Sequence, residues 1–240
     1  MVRIIPCLAL MVAMVFCSMI HPLSGQDEWP NQLTQQEVRA GWRLLFDGLS
    51  STGWKSATHA GFPSRGWLVK DGTLSVLANC RGGDIVTVEP FSNFELSLEF
   101  KLTPGAESGV KYLVPANSTH GPEYQILDDS VHSDAALGVA GNRSLASLYD
   151  LIPAENKIVR PVGEWNIARL FVDKNHAEHW LNGVKVVAFD RDTQMFRALV
   201  QKSMFKDIEN FGLTNQGHIL LQDHGDAVSF RNIKIRILRN

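Results

Sequence analysis

The chain has 240 residues, with 23 Lys and Arg against 25 Asp and Glu, a formal net charge of −2 and 45% hydrophobic residues. Balanced, scattered charge gives no electrostatic case for nucleic acid or for an anionic membrane surface, and suits a neutral polar ligand. Of the three cysteines, Cys7 and Cys17 lie in the apolar leader, so the remainder keeps only Cys80 and no internal disulfide forms there.

Arg3 is followed by an apolar run from Ile4 to Ile20 and then by His21-Pro-Leu-Ser-Gly25. This reads as a secretory signal peptide, residues 1–25, cleaved near Gly25, and predicts a periplasmic or secreted protein. The run approaches the ~18 apolar residues of a membrane helix, but Pro6 and the single basic residue favour cleavage. Bulky Phe16 before Cys17 argues against a lipoprotein. Residues 26–240 have a suitable length for one all-β domain, with Cys80 as a small buried apolar side chain. Residues 26–40 form a polar connector in which Thr34-Gln-Gln-Glu37 has the pattern of a capping box opening a short helix that stops near Gly41.

From residue 41 to 240 short alternating runs are punctuated by Asp47-Gly, Asp71-Gly, Gly82-Gly-Asp84, Pro104-Gly and Asn182-Gly, the rhythm of an antiparallel β protein. The clearest strand is Phe94–Lys101, with Phe94, Leu96, Leu98 and Phe100 on one face and Glu95, Ser97, Glu99 and Lys101 on the other. Gly109–Val114 and Glu123–Leu127 behave likewise, sending Val110, Tyr112, Tyr124 and Ile126 to the core and leaving Lys111, Glu123 and Gln125 opposite. Asp128 to Arg160 is a long excursion, the kind of loop on which binding residues collect. Ile167–Val172, His179–Leu181 and Val184–Phe189 supply further strands, with a type I′ turn at Asn182-Gly183. Asp192 to Asn210 reads as a helix-bearing insertion with Phe196, Leu199, Val200 and Met204 on its apolar face. At the end, Ile219 and Leu221, then Val228, Phe230, Ile233, Ile235 and Ile237 with an irregularity at Asn232, flank the turn Asp223-His-Gly-Asp226. The plain account of that turn is a hairpin; the functional one is a gathering of two carboxylates and an imidazole. Many strands without a strong amphipathic helix predict two packed sheets.

Glu123 and Gln125 are two residues apart on one strand and so share a face, with Lys111 able to lie beside them. Glu95 and Glu99 also share a face, but four strand residues set them ~13 Å apart, beyond the ~5–9.5 Å of glycosidase carboxylate pairs. No His-x-x-x-His or Cys-x-x-Cys spacing is present, so no preformed metal site is legible. His59, His120, His132, His218 and His224 fall at turns or loops, and His179 falls on a strand. His179 and His224 stand out because each neighbours another polar residue.

Taken in order, Leu44-Leu-Phe-Asp-Gly48, Trp67–Leu74, Phe94–Phe100, Ser108-Gly-Val110, Gly121–Asp128, Pro161–Asn166, Trp180-Leu-Asn-Gly-Val184 and Leu221–Asp226 through Phe230–Ile233 resemble the 3-keto-disaccharide hydrolase family over residues 41 to 238. The resemblance implies a concanavalin A-like jelly-roll β-sandwich with long loops over a concave face. It also implies cleavage of glycosidic bonds in sugars already oxidised at C3 by a separate upstream oxidoreductase, with no nucleic acid and no stable protein partner. A ketone at C3 acidifies the C2 proton, so abstraction at C2 and elimination at C1, with or without later water addition, needs no carboxylate pair. On that scheme His179 or His224 is the base, and Glu123 and Gln125 bind hydroxyls or a metal. Lys111 or a divalent ion stabilises the enolate oxygen, and Tyr149 or Asp150 covers the sugar or protonates the leaving oxygen. Trp180, Gln222 and Asp226 complete the expected substrate contacts, and the cofactor stays open between none and a divalent metal. A noncatalytic carbohydrate-binding module is the competing expectation.

Overall fold

The computed structural model describes residues 30–238. The expected signal peptide and the first residues of the connector lie outside the described residues. The connector helix α1, Gln35–Arg39, is opened by both halves of the expected capping box, Thr34 accepting from Glu37 N–H and the Glu37 carboxylate accepting from Thr34 N–H.

The strands in chain order are β1 (Trp42–Leu44), β2 (Trp54–Ser56), β3 (Trp67–Lys70), β4 (Thr73–Val76), β5 (Ile85–Thr87), β6 (Phe94–Leu102) and β7 (Glu107–Val114). They continue with β8 (Glu123–Leu127), β9 (Asn166–Asp173), β10 (His176–Leu181), β11 (Val184–Asp190), β12 (His218–Leu221) and β13 (Val228–Ile237). They form two antiparallel sheets: an eight-stranded sheet ordered β11-β10-β9-β6-β13-β4-β3 with β1 also on β13, and a five-stranded sheet ordered β2-β5-β12-β7-β8. This is the all-β sandwich expected of the alternating runs.

One core lies between the sheets. Phe94, Leu96, Leu98 and Phe100 from β6 meet Val110 and Tyr112 from β7, Tyr124 and Ile126 from β8, and Ile219 and Leu221 from β12. Each such fully buried side chain contributes roughly 1.5–3 kcal/mol from surface removed from water. The opposite face of the large sheet is wet and held by charge: Glu95 pairs with Arg169 and Arg236, and Glu99 with Arg231. These pairs are why both glutamates are structural rather than chemical.

Three local expectations are met in detail. Asn182 and Gly183 have φ of 49° and 84° in the turn between β10 and β11, the positive values a type I′ turn requires. Asn232 has φ 52° where the pairing of β13 with β6 slips between Arg231 and Lys234, and its amide oxygen accepts from Asn31 N–H. In α2, Gln194–Gln201, Phe196 and Val200 are buried, although Met204 lies beyond the helix and is exposed.

Other expectations are corrected. Cys80 is exposed, because it sits in the loop between β4 and β5 instead of on a strand. The turn at Asp223–Asp226 is not a hairpin, because β12 and β13 belong to different sheets and the chain crosses the edge of the sandwich there. Side chains fasten that crossing: Asp223 Oδ2 accepts from Gly83 N–H at 2.9 Å, Asp84 Oδ1 from Asp223 N–H at 2.9 Å, and Asp226 Oδ2 from Glu107 N–H at 3.0 Å.

Candidate active site on the five-stranded sheet

Alternation along β7 and β8 builds the site. Ser108, Val110 and Tyr112 point inward, so Glu107, Gly109 and Lys111 point to the outer, concave face, and pairing sets Gly109 opposite Gln125 and Lys111 opposite Glu123. Gln125 Nε2 donates to Glu107 Oε1 at 3.0 Å, and Lys111 Nζ lies 3.8 Å from Glu123 Oε2. Gly109 is required by this packing: a Cβ there would sit 2.0 Å from Glu123 Oε1, so the carboxylate occupies the room of the missing side chain.

The long excursion closes over this face. Residues 146–149 run along the outer edge of β8, with Ala146 N–H donating to Gln125 O and Tyr149 N–H to Glu123 O, which also covers an otherwise open edge. Arg143 holds the loop together through Asp150 at 2.7 Å and Asp134 at 3.1 Å, and lies over the Tyr149 ring at 5.5 Å. Burial pushes the Glu123 carboxyl up to about 7, against the opposing pull of Lys111. Burial and the neighbouring Asp134 carboxylate raise the Tyr149 phenol, and burial raises Asp84. The amide oxygens of Gln125 and Gln222 are buried without a hydrogen-bond partner, two acceptors that a ligand hydroxyl or an ordered water would satisfy.

At the crossover end of the sheet Glu107 Oε2 lies 3.1 Å from His132 Nε2 and 3.3 Å from His224 Nδ1. The three side chains hold their potential ligand atoms within 4.8 Å of one another, a donor set of the kind a catalytic metal uses. The hydrogen bonding of His132 works against that use. Its Nδ1 accepts from Asp134 N–H at 3.2 Å, which places the proton of the neutral ring on Nε2, facing Glu107. A metal bound through that nitrogen would require the ring to release the Asp134 N–H. As arranged, the group is a carboxylate clasped by two imidazoles, with the His224 side chain 46% exposed.

The structure places Lys111, Glu123 and Gln125 on neighbouring strands of the five-stranded sheet, Gln222, His224 and Asp226 in the crossing after β12, and Tyr149 on the loop that borders β8. It removes three residues from the expected set. His179 points into the core with no exposed surface: its Nδ1–H donates to Ala146 O at 3.0 Å and its Nε2 accepts from Tyr112 Oη–H at 3.0 Å. Burial lowers its pKa to about 4, and no substrate proton can reach the ring. Trp180, next along β10, points to the opposite, outer face of the large sheet, where it carries Arg169 at 4.6 Å and donates to Glu178. Asp150 has both oxygens committed, to Arg143 and to Met204 N–H, and is structural.

Glu107 and His132 were not singled out from sequence. Glu107 could have been, because it lies two residues before Gly109 and four before Lys111 on the same polar alternation. His132 carries no local signal.

A two-sheet β-sandwich whose five-stranded sheet carries a cluster of polar and titratable side chains bordered by a long loop is the class defined by this fold and site. The profile of the 3-keto-alpha-glucoside-1,2-lyase-like domain matches residues 41–236, and the chain belongs to that family. It is 35% identical to a 3-keto-disaccharide hydrolase of Bacteroides thetaiotaomicron, over 82% of this chain and 79% of the relative. Two crystal structures from Parabacteroides distasonis, both provisionally named glycosyl hydrolases, share the fold. One has TM-score 0.78 at 31% identity, covering 88% of this chain and 100% of the other. The second has TM-score 0.60 at 26% identity, covering 82% and 99%.

Proposed function

We propose that this protein cleaves the glycosidic bond of 3-keto-glycosides, including 3-keto-disaccharides, by proton abstraction at C2 followed by elimination at C1. The observation that carries the reading is Glu107 set against His224 Nδ1 at 3.3 Å on a side chain that is 46% exposed. A carboxylate there orients the imidazole with Nδ1–H inward and leaves Nε2 as the proton acceptor, the arrangement of a general base. His224 takes the C2 proton, and the C–H electron pair becomes the C2=C3 bond of an enolate whose negative oxygen is stabilised by Lys111 Nζ. The enolate re-forms the ketone, C1=C2 forms, the C1–O bond breaks, and the leaving oxygen takes the proton of Glu123. With its carboxyl at about 7, Glu123 is partly protonated at neutral pH and suited to that donation. The product is a conjugated enone, to which water can add at C1 to complete net hydrolysis. Tyr149 covers the sugar, and Gln222 and Asp226 meet its hydroxyls.

The chemistry needs a substrate oxidised at C3, so a sugar-oxidising oxidoreductase acts upstream, and the apolar leader is proposed to export the protein to where such sugars arise. The test mixes purified protein with a 3-keto-glucoside and with the unoxidised glucoside, following aglycone release together with ultraviolet absorbance of the enone. Release from the keto-sugar alone, with the absorbance, is expected. Saturable binding of plain sugars with no release from either compound would replace this reading with a carbohydrate-binding module.

A further inference from the structure

The excursion after Asp128 brings to the base one residue that the proposed reaction does not use. Glu107 is buried, and its carboxylate meets three ring or amide nitrogens: Gln125 Nε2 at Oε1 (3.0 Å), and His132 Nε2 (3.1 Å) and His224 Nδ1 (3.3 Å) at Oε2. An ionised carboxylate removed from water is costly unless donors of this kind satisfy it. The two imidazoles share one oxygen, with ring centroids 6.3 Å apart and planes at 79°.

His132 meets Glu107 as a donor. Its Nδ1 accepts from Asp134 N–H at 3.2 Å, capping the short 3₁₀ helix Ser133–Ala136. The other neutral tautomer would set donor against donor at Asp134 and lone pair against lone pair at Glu107, so both ends of the ring select Nε2–H. Asp134 is held in turn: Arg143 bonds its carboxylate at 3.1 Å and that of Asp150 at 2.7 Å, and Asp150 accepts from Met204 N–H at 2.7 Å. A cross-linked loop therefore fixes, through His132, one oxygen of Glu107. His224 has little else to hold it, since its side chain is 46% exposed and its other carboxylate neighbour, Asp226, lies 3.9 Å from Nδ1.

We infer that His132 is a positioning residue for the C2 proton transfer: it fixes the Glu107 oxygen that sets His224 in its Nδ1–H tautomer and so leaves Nε2 to accept the proton. The inference rests on the proposed reaction and gives the excursion a part in it beyond covering the sugar. Without the His132 donor the Glu107 carboxylate is free to turn, and the exposed His224 ring populates the tautomer whose Nε2 already carries a proton.

Two substitutions separate this role from simple support of the loop. His132→Asn keeps an acceptor for Asp134 N–H, asparagine being a good cap, but is too short to reach Glu107; His132→Gln keeps a donor near the place of Nε2 and gives up the cap. Positioning predicts that kcat on a 3-keto-glucoside falls about 10- to 100-fold in His132→Asn with KM within about threefold, and that His132→Gln recovers most of the loss. A purely structural role predicts the reverse order, and that order, or parental kcat in both variants, would overturn the inference. Should His132→Asn fold poorly, His132→Ser also keeps a capping oxygen and gives the same test. In a His224→Ala background, His132→Asn should cost no more than about twofold further, because it acts through a base no longer present; a full additional loss would overturn the inference as well. ¹⁵N NMR of the His224 ring at pH 8 reads the positioning without turnover, the parent showing Nδ1–H and His132→Asn a mixture with Nε2–H. If the parent cleaves no keto-sugar, the reaction fails while that change of tautomer still upholds the positioning; a tautomer unchanged by His132→Asn overturns it.

Discussion

His179→Gln separates a core role from a catalytic one. In the parent the ring is neutral, fully buried, and hydrogen-bonded at both nitrogens to partners that fix its tautomer. Protonation would place two donors, Nε2–H and Tyr112 O–H, face to face and would bring an uncompensated charge into the core. The folded ring therefore stays neutral down to about 4, whereas in the unfolded chain it titrates near 6.5. Between those values the unfolded state binds more protons, so the stability held above pH 6.5 is lost as pH falls toward 4. The size is roughly 2 kcal/mol at pH 5 and roughly 3 kcal/mol at pH 4. Gln can keep a donor and an acceptor but not the ring's shape, so a further loss of about 1–3 kcal/mol is expected at every pH. Urea unfolding of parent and variant at pH 8 and pH 5 reads the difference. The stability gap should narrow by about 2 kcal/mol at the lower pH, because only the parent carries this acid-sensitive group. Where the variant is folded, its kcat should lie within a few-fold of the parent. An unchanged gap, or a kcat loss of a hundredfold or more in a variant of near-parental stability, would refute the core assignment.

The remaining predictions concern the cleft. His224→Ala should lower kcat by about 10²–10⁴-fold with little change in Tm, because the ring is half exposed and serves chemistry rather than packing; near-normal turnover would remove it as the base. Glu123→Gln should lose the proton donor and also change the pH dependence of stability in the sense opposite to His179. The raised Glu123 carboxyl, at about 7 against 4.5, contributes stability below pH 4.5 that disappears as pH rises through 7, roughly 3 kcal/mol in all, so relative to the parent the variant gains at pH 8 over pH 4.5. The two groups nearly cancel in the parent, so only parent-minus-variant unfolding curves expose either. Gly109→Ala should displace the Glu123 carboxylate, with which its new Cβ would collide at 2.0 Å, reducing turnover more than the ~1–3 kcal/mol of overpacking reduces stability. Dialysis against a chelator should leave cleavage within about twofold, since His132 is committed to Asp134 N–H; strict dependence on an added divalent ion would show that the ring turns to bind it.

Much of the architecture is written locally. Period-two alternation in Phe94–Leu102 and Glu123–Leu127, the capping box at Thr34–Glu37 and the Asn182-Gly183 turn each depend on residues a few positions apart, so strands, helix start and turn follow from sequence. The polar face of Lys111, Glu123 and Gln125 was legible for the same reason. Even His179 carried a local warning, since Ala177 and Leu181 flank it on the same side of β10 and both are buried. Only tertiary structure decided the rest. Which sheet a strand joins depends on backbone partners far away in the chain, so nothing in Asp223–Asp226 distinguishes a hairpin from a crossing between sheets. That crossing, and the excursion after Asp128, carry His224 and His132 onto Glu107 from separate parts of the sequence. Their convergence exists only once both sheets have packed, because it is long-range packing, and no local pattern, that holds a carboxylate between two imidazoles.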